Sequence, residues 1–335
     1  MIYLGNSHRN IQVVADQWEL RLREFLFEKR KREDGSTYGN CYYDRAVRRI
    51  KYGGANDAVQ CLKELKWFKI HFRKVVLADE EGLKKYSKKK VSDSMNTFMI
   101  GLYKAFTQHK DKDDKDITIA HQFFRDLNIR TCPYCNRHYT FTLDDGTVKV
   151  SPEYDHFYDK SSYPILAVSF YNLVPSCHTC NHVKRNNKAK INPYFSGFKR
   201  KFELQNENGE RMPIDEIINQ EKVGRIGFGK LGDSEEEIER FEEEQCNIDT
   251  FGLQGLYEMH DDYISEIIEK TIGYNSIVNQ ALVDAFQDQA YSPQQVVEFV
   301  WDRYLNEAQF EKRPLSKLTR DVLEQIGILP EEDNK

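Results

Sequence analysis

The reactive side chains of this sequence gather around four cysteines, with a few polar residues between and after them. Cys132-Pro-Tyr-Cys135 and Cys177-His-Thr-Cys180 form two Cys-x-x-Cys pairs, with 41 residues between the inner cysteines. Each two-residue spacing lets a tight turn aim two thiolates at one ion, so the two pairs together predict a single tetrahedral zinc site. With sulfur at all four positions no coordination site is left for water, and the zinc would hold structure. Such a site can supply on the order of 10 kcal/mol of folding free energy. A redox dithiol is the competing reading of one pair, but it has no need of the second. Between the pairs lie Asp155-His156 and Asn172, and directly after Cys180 come Asn181-His182 and Lys184. A neutral imidazole takes a proton from water near pH 7. Asp and Asn offer hard oxygen donors, which suit Mg²⁺ or Mn²⁺ better than zinc.

These residues need elements to carry them. Val148 to His156 reads as a strand delivering Asp155 and His156, with Tyr139 to Leu143 as an alternating stretch before it and Asp145-Gly146 as the turn between. Asn181 to Lys190 is polar and basic and reads as a short helix. Upstream, the apolar spacing predicts helices over 10–30 (Ile11, Val14, Trp18, Leu22, Phe25), from Asn56 (Ala58, Leu62, Leu65, Phe68, Phe72), over 94–108 (Met95, Phe98, Leu102, Phe106) and over 119–127. Lys84 to Lys90 reads as a basic connector, and Lys110 to Asp116 as a charged turn. Downstream, a mixed region to about residue 230 carries candidate strands, followed by helices over 235–245, 247–272, 276–289, 293–310 and 315–327. Pro293 after Ser292 marks one of their starts. The aromatic stripes are read as core. Cys41, Cys61 and Cys246 are isolated and are read as buried free thiols.

Strand, strand and helix around Asp155-His156, then Asn172-Leu-Val, then Cys177-x-x-Cys180-Asn181-x-x-Lys184 resemble the HNH endonuclease superfamily and its ββα-metal fold. The resemblance covers about 60 residues. It implies that His156 is the general base that activates water and that Asp155 is a ligand of a catalytic divalent ion. It further implies that Asn172 fixes the loop holding the histidine, and that Asn181 is a second ligand at a position where the family has His or Asn. His182 is the alternative ligand there, although neighbours on a helix point about 100° apart. His178 reads as a turn residue or phosphate contact, and His138 as a half-buried strand residue. Tyr134-Cys-Asn-Arg, Asp155-His-Phe-Tyr, Tyr163-Pro-Ile-Leu and Asn172-Leu-Val-Pro-Ser-Cys are similar to a narrower group. These are bacterial HNH proteins encoded beside an ABC-type or related ATPase in anti-phage defence, such as the nuclease subunit of Septu-type systems. That likeness implies an ATPase partner docking on the helical flanks.

The expected architecture is therefore mainly α with a small α+β insert. A helical region spans 1–128, a ββα-metal module stapled by a four-cysteine zinc site spans 129–200, and an acidic helical region spans 201–335. The net charge is −5 over 335 residues, but it is unevenly placed. Arg45 to Lys90 holds 14 Lys or Arg against 5 Asp or Glu, His182 to Lys201 holds 7 basic residues and no acidic ones, and Phe202 to Asp262 holds 5 basic against 18 acidic. A polyanion is drawn to the first two stretches and repelled by the third. Lys184, Arg185 and Lys188 are the expected phosphate contacts. The acidic 235–245 segment is a candidate for docking a partner or shielding the site. The amino end lacks a basic region followed by an apolar run, and no apolar stretch of about 18 residues occurs, so a cytoplasmic protein with reduced thiols is expected. There is no Walker motif or Gly-rich phosphate loop. The readings of the function are a metal-dependent DNA endonuclease, a nuclease acting on RNA, and a zinc-stabilised nucleic-acid-binding module without cleavage.

Overall fold

The computed structural model describes residues 1–6, 11–31, 36–110, 117–145, 147–219, 224–274, 281 and 292–329. The expected turn at Gly146, most of the charged turn over 110–116 and most of the helix over 276–289 lie outside them. The chain forms two compact units, one of residues 9–129 and 140–181, the other of 1–8, 130–139 and 182–335. These bounds differ from three consecutive stretches, because the strand that carries Asp155 and the turn that carries Asn172 fall in the same unit as the amino-terminal helices.

That first unit begins with α1 (Ile11–Phe27), which leads through the short pair β1 (Arg30–Lys31) and β2 (Thr37–Tyr38) to α2 (Tyr42–Tyr52). Helix α2 was not expected; it buries none of its residues fully. Its first turn is capped by the Cys41 sulfur, which accepts from Asp44 N. Then follow α3 (Ala58–Val76), α4 (Glu80–Ser87), α5 (Asp93–Thr107) and α6 (Ile119–Leu127). The α4 helix takes in part of the stretch expected as a connector, its start fixed by Asp79 accepting from Gly82 N. Ser92 and Thr118 cap α5 and α6 in the same manner. The stripe residues Trp18, Leu22, Leu65, Phe68, Phe72, Leu102 and Phe106 are buried. Trp18 meets Phe106 and Phe123 at 4.9 and 4.7 Å between ring centres.

Next come β3 (Leu143–Asp144) paired with β4 (Lys149–Val150), and β5 (Glu153–His156) paired antiparallel with β6 (Leu173–Ser176). The expected continuous strand from Val148 is thus broken. Pro152 lacks an N–H to continue a ladder, and the strand bearing Asp155-His156 takes its partner from beyond Asn172 instead. Helix α7 (His178–Lys184) follows β6. It starts three residues before the expected Asn181 and ends early, since Arg185 adopts the left-handed φ of 43°. The order is strand, strand, helix, in a mainly helical chain.

The other unit pairs β7 (Phe202–Gln205) with β8 (Arg225–Phe228), with α8 (Ile214–Asn219) between them. Helices α9 (Glu235–Phe251), α10 (Leu253–Glu258) and α11 (Asp261–Gly273) follow. The expected break near residue 246 is absent. It falls instead at Gly252, whose φ of +61° only a residue without a Cβ adopts at little cost. Helix α12 (Pro293–Trp301) begins in a Ser292–Gln295 capping box and stops at Asp302, short of the expected 310. Helix α13 (Ser316–Gln325) is buried at every position. Among the described residues, no helix is long and apolar enough to cross a membrane.

Candidate functional site

The four cysteines are drawn together as their spacing predicts. All are buried, and their sulfurs lie within 4.8 Å of one another. Four sulfurs on one zinc at about 2.3 Å stand about 3.8 Å apart, so the cluster fits that ion with a small contraction. Each knuckle is shaped by its own turn. Asn136 takes a left-handed φ of 47°, its N–H donating to Cys132 O at 2.7 Å, and Arg137 N approaches the Cys135 sulfur at 3.4 Å. Cys180 N approaches the Cys177 sulfur at 3.5 Å. Such N–H donors stabilise thiolate charge. His138, expected half-buried in a strand, is instead an exposed bend residue whose carbonyl accepts from Cys132 N. The isolated cysteines stand apart from this cluster. Cys41 and Cys61 are buried and burial raises both thiols, Cys61 to about 11, while Cys246 is partly exposed.

Asp155 and His156 end strand β5, and both are buried. The pleat sends them to opposite faces of the strand. On the His156 side, Tyr154 stacks on Phe124 at 4.0 Å and its hydroxyl donates to Ala120 O at 2.7 Å. The ring of His156 meets Tyr103 of α5 edge-on, at 4.6 Å and 71°. Its Nε2 lies 3.1 Å from Ala167 O. A carbonyl can only accept, so Nε2 carries a proton in this contact.

Ala167 belongs to the loop joining β5 to β6, and Asn172 ties that loop. Its Oδ1 accepts from Tyr158 N at 2.8 Å, while its Nδ2 donates to Tyr158 O and Leu166 O at 3.1 and 3.0 Å. The amide is fully buried and committed to backbone on both sides. The same loop is anchored to the helices: Trp18 Nε1 donates to Val168 O at 3.0 Å and Ser169 Oγ to Val75 O at 2.6 Å.

On the opposite face of β5, Glu153 stands two residues before Asp155 and so shares its side. Its Oε2 accepts from Asn181 Nδ2 at 2.7 Å, and its Oε1 lies 2.7 Å from His178 Nδ1. A carboxylate accepts only, which fixes the Asn181 amide with its nitrogen toward Glu153 and its Oδ1 turned away. Glu153 was not singled out in the sequence, and a lone glutamate two residues before Asp-His carries no signal of its own. His178 is exposed on this face as its turn position suggested, but with Glu153 as partner. His182 is exposed, and its Nε2 sits 2.8 Å from an Arg185 guanidinium nitrogen. Guanidinium only donates, so that imidazole nitrogen is already engaged.

Among the described residues, the cysteines are the single group of three or more His, Cys, Asp or Glu side chains close enough to share an ion. The expected phosphate contacts divide. Arg185 and Lys188 are exposed, whereas Lys184 is fully buried and is removed from that list. Its place on the last turn of a seven-residue helix, between exposed Val183 and Arg185, gave no hint of this. The chain matches no family model, no curated protein and no solved structure.

Proposed function

We propose that this chain is a metal-dependent endonuclease of the HNH type that hydrolyses phosphodiester bonds of DNA. The observation that carries this reading is the His156 ring, held at Nε2 by Ala167 O beside a buried Asp155, in a loop tied by Asn172. His156 Nδ1 takes the proton of the attacking water, and Tyr103 and the Ala167 carbonyl hold the ring still while it does so. Asn172 keeps the loop from opening and touches no substrate. Asp155 and Asn181 Oδ1 would hold Mg²⁺ or Mn²⁺, which when bound stabilises charge on the phosphate and the leaving oxygen. Glu153 keeps the Asn181 amide turned the right way, a supporting contact of the sort that metal sites depend on. The four cysteines staple the module through zinc and take no part in the reaction.

The basic helices and Arg185 and Lys188 draw the polyanion in, while α9 is acidic and repels it. On the narrower resemblance, the protein works in the cytoplasm as the effector of a bacterial anti-phage defence system, with an ATPase partner on its helical flanks. Labelled duplex DNA, single-stranded DNA and tRNA, each incubated with the purified chain in Mg²⁺ or Mn²⁺, test the reading. Duplex DNA is cut and His156→Ala cuts none of the three. Preferential cleavage of tRNA would transfer the activity to RNA, and binding without cleavage would leave a nucleic-acid-binding module.

A further inference from the structure

We propose that Lys160 grips the phosphate that this site cuts, an inference that rests on the nuclease reading above. Lys160 lies four residues past His156 in the Asn172-tied loop and is half-buried. Its Nζ stands 5.2 Å above the centre of the Tyr103 ring, the same ring that meets His156 edge-on. The ammonium is also close enough to Asp155 to feel its charge. Through the Tyr103 ring Lys160 is set beside His156.

Among the described residues, Lys160 has no carboxylate within ion-pair distance. Among the described residues it makes no hydrogen bond and no ion pair, and its polar surroundings are taken. Asp159 Oδ1 accepts from Ser161 N and Ser162 N at 3.1 and 2.8 Å, which binds that carboxylate into a turn. The Tyr103 hydroxyl, pushed to about 12 by burial, stays neutral. Burial, joined by the like charge of Lys104 of α5, holds the Lys160 ammonium below its ordinary pKa against the pull of Asp155 and Asp159. A half-buried cation next to another cation and without a partner is unfavourable. A phosphate diester oxygen arriving in front of His156 relieves both the desolvation and the repulsion. The geometry also supplies what the burial of Lys184 took away, a cation at the reacting phosphate itself. A tyrosine face beneath the ammonium keeps the stem from swinging away without neutralising it.

A purely structural lysine, serving only to steady Tyr103 against His156, would act on the rate and leave binding alone. Binding is therefore the readout, measured in a His156→Ala background so that no cleavage confuses it. Affinity for a short duplex is titrated from 50 to 300 mM NaCl, a range chosen as about that over which phosphate contacts are resolved. Lys160→Gln should lower the slope of log affinity against log salt by about 0.9, one phosphate contact, and Lys160→Arg should restore it. In the cleaving protein, Lys160→Gln should raise KM and lower kcat together, with zinc content and melting temperature unchanged. Lys160→Met is a second variant that removes the charge, should Lys160→Gln fold poorly. An unchanged salt slope in both variants overturns the role of Lys160, whatever the cleavage rate. Absence of any cleavage by the wild-type chain overturns the nuclease reading instead, and the binding slopes still decide whether Lys160 meets phosphate.

Discussion

Helix α13 and the loop after β5 both withdraw a lysine from water, and they treat it differently. In α13, Lys317 is buried with its Nζ 2.6 Å from Asp321, one turn on. The same aspartate accepts from Phe202 N at 2.8 Å, and burial still raises its carboxyl. Arg320 meets Glu324 at 2.8 Å, and Gln325 closes the row by pairing with both backbone groups of Leu204. Every one of these groups has its counterpart inside the fold. In the loop after β5, Asn172, Asp159 and His156 are likewise committed to backbone, but among the described residues Lys160 has an aromatic face and no carboxylate within ion-pair distance. Charge that is buried and paired builds the fold. Lys160, half-buried and in no ion pair among the described residues, is the charge proposed above to meet substrate.

The largest effect expected from breaking the first kind of order lies at the zinc cluster. Cys177→Ser leaves three sulfurs and should forfeit most of a contribution on the order of 10 kcal/mol. Zinc content falling from about one per chain toward zero, with loss of cooperative melting, checks it. A soluble, cooperative, zinc-free variant would remove the structural assignment. Next comes the pair in α13. Asp321→Ala leaves a buried ammonium without its anion and should cost about 3–5 kcal/mol in chemical denaturation. Lys160→Gln, by contrast, should stay within about 0.5 kcal/mol of wild type, because no ion pair is broken. Equal losses in the two variants would dissolve the distinction between them.

Smaller still is the support of the oxygen site. Glu153→Ala frees the Asn181 amide to flip and should weaken Mn²⁺ binding about 10- to 100-fold, with the zinc retained. Electron paramagnetic resonance of free Mn²⁺ reads this without any cleavage. The exposed cations act on binding alone: Arg185→Asn with Lys188→Gln should lower the salt slope of DNA affinity by about 1.8. Asparagine is used because position 185 has the left-handed φ of 43°.

What could be read from the sequence divides along the range of the interactions. The zinc ligands follow from local spacing, and helix α6 from a local apolar period between Thr118 and Asn128 caps. The partner of β5 could not be read, because it comes from 173–176, and a hairpin signal at 145 lay nearer in the chain. Glu153 acquires meaning only when α7 arrives against its strand face, and Lys160 only when α5 presents Tyr103 to it. The burial of Lys184 is equally a property of packing around a short helix. Helix α2 carries Tyr42, Ala46 and Ile50 at helical spacing, a signal interleaved with four charged residues, and none of its residues is fully buried.

If His156 does the chemistry while stability resides elsewhere, the two separate in a single comparison. Wild type and His156→Ala are assayed side by side for cleavage of duplex DNA in Mg²⁺ and in Mn²⁺, with zinc content, melting temperature and DNA affinity measured on the same samples. A positioned base alone contributes ~10²–10⁴-fold, so cleavage should fall by at least that factor while the other three quantities hold. Full cleavage by His156→Ala, or loss of zinc and fold along with activity, would contradict the account.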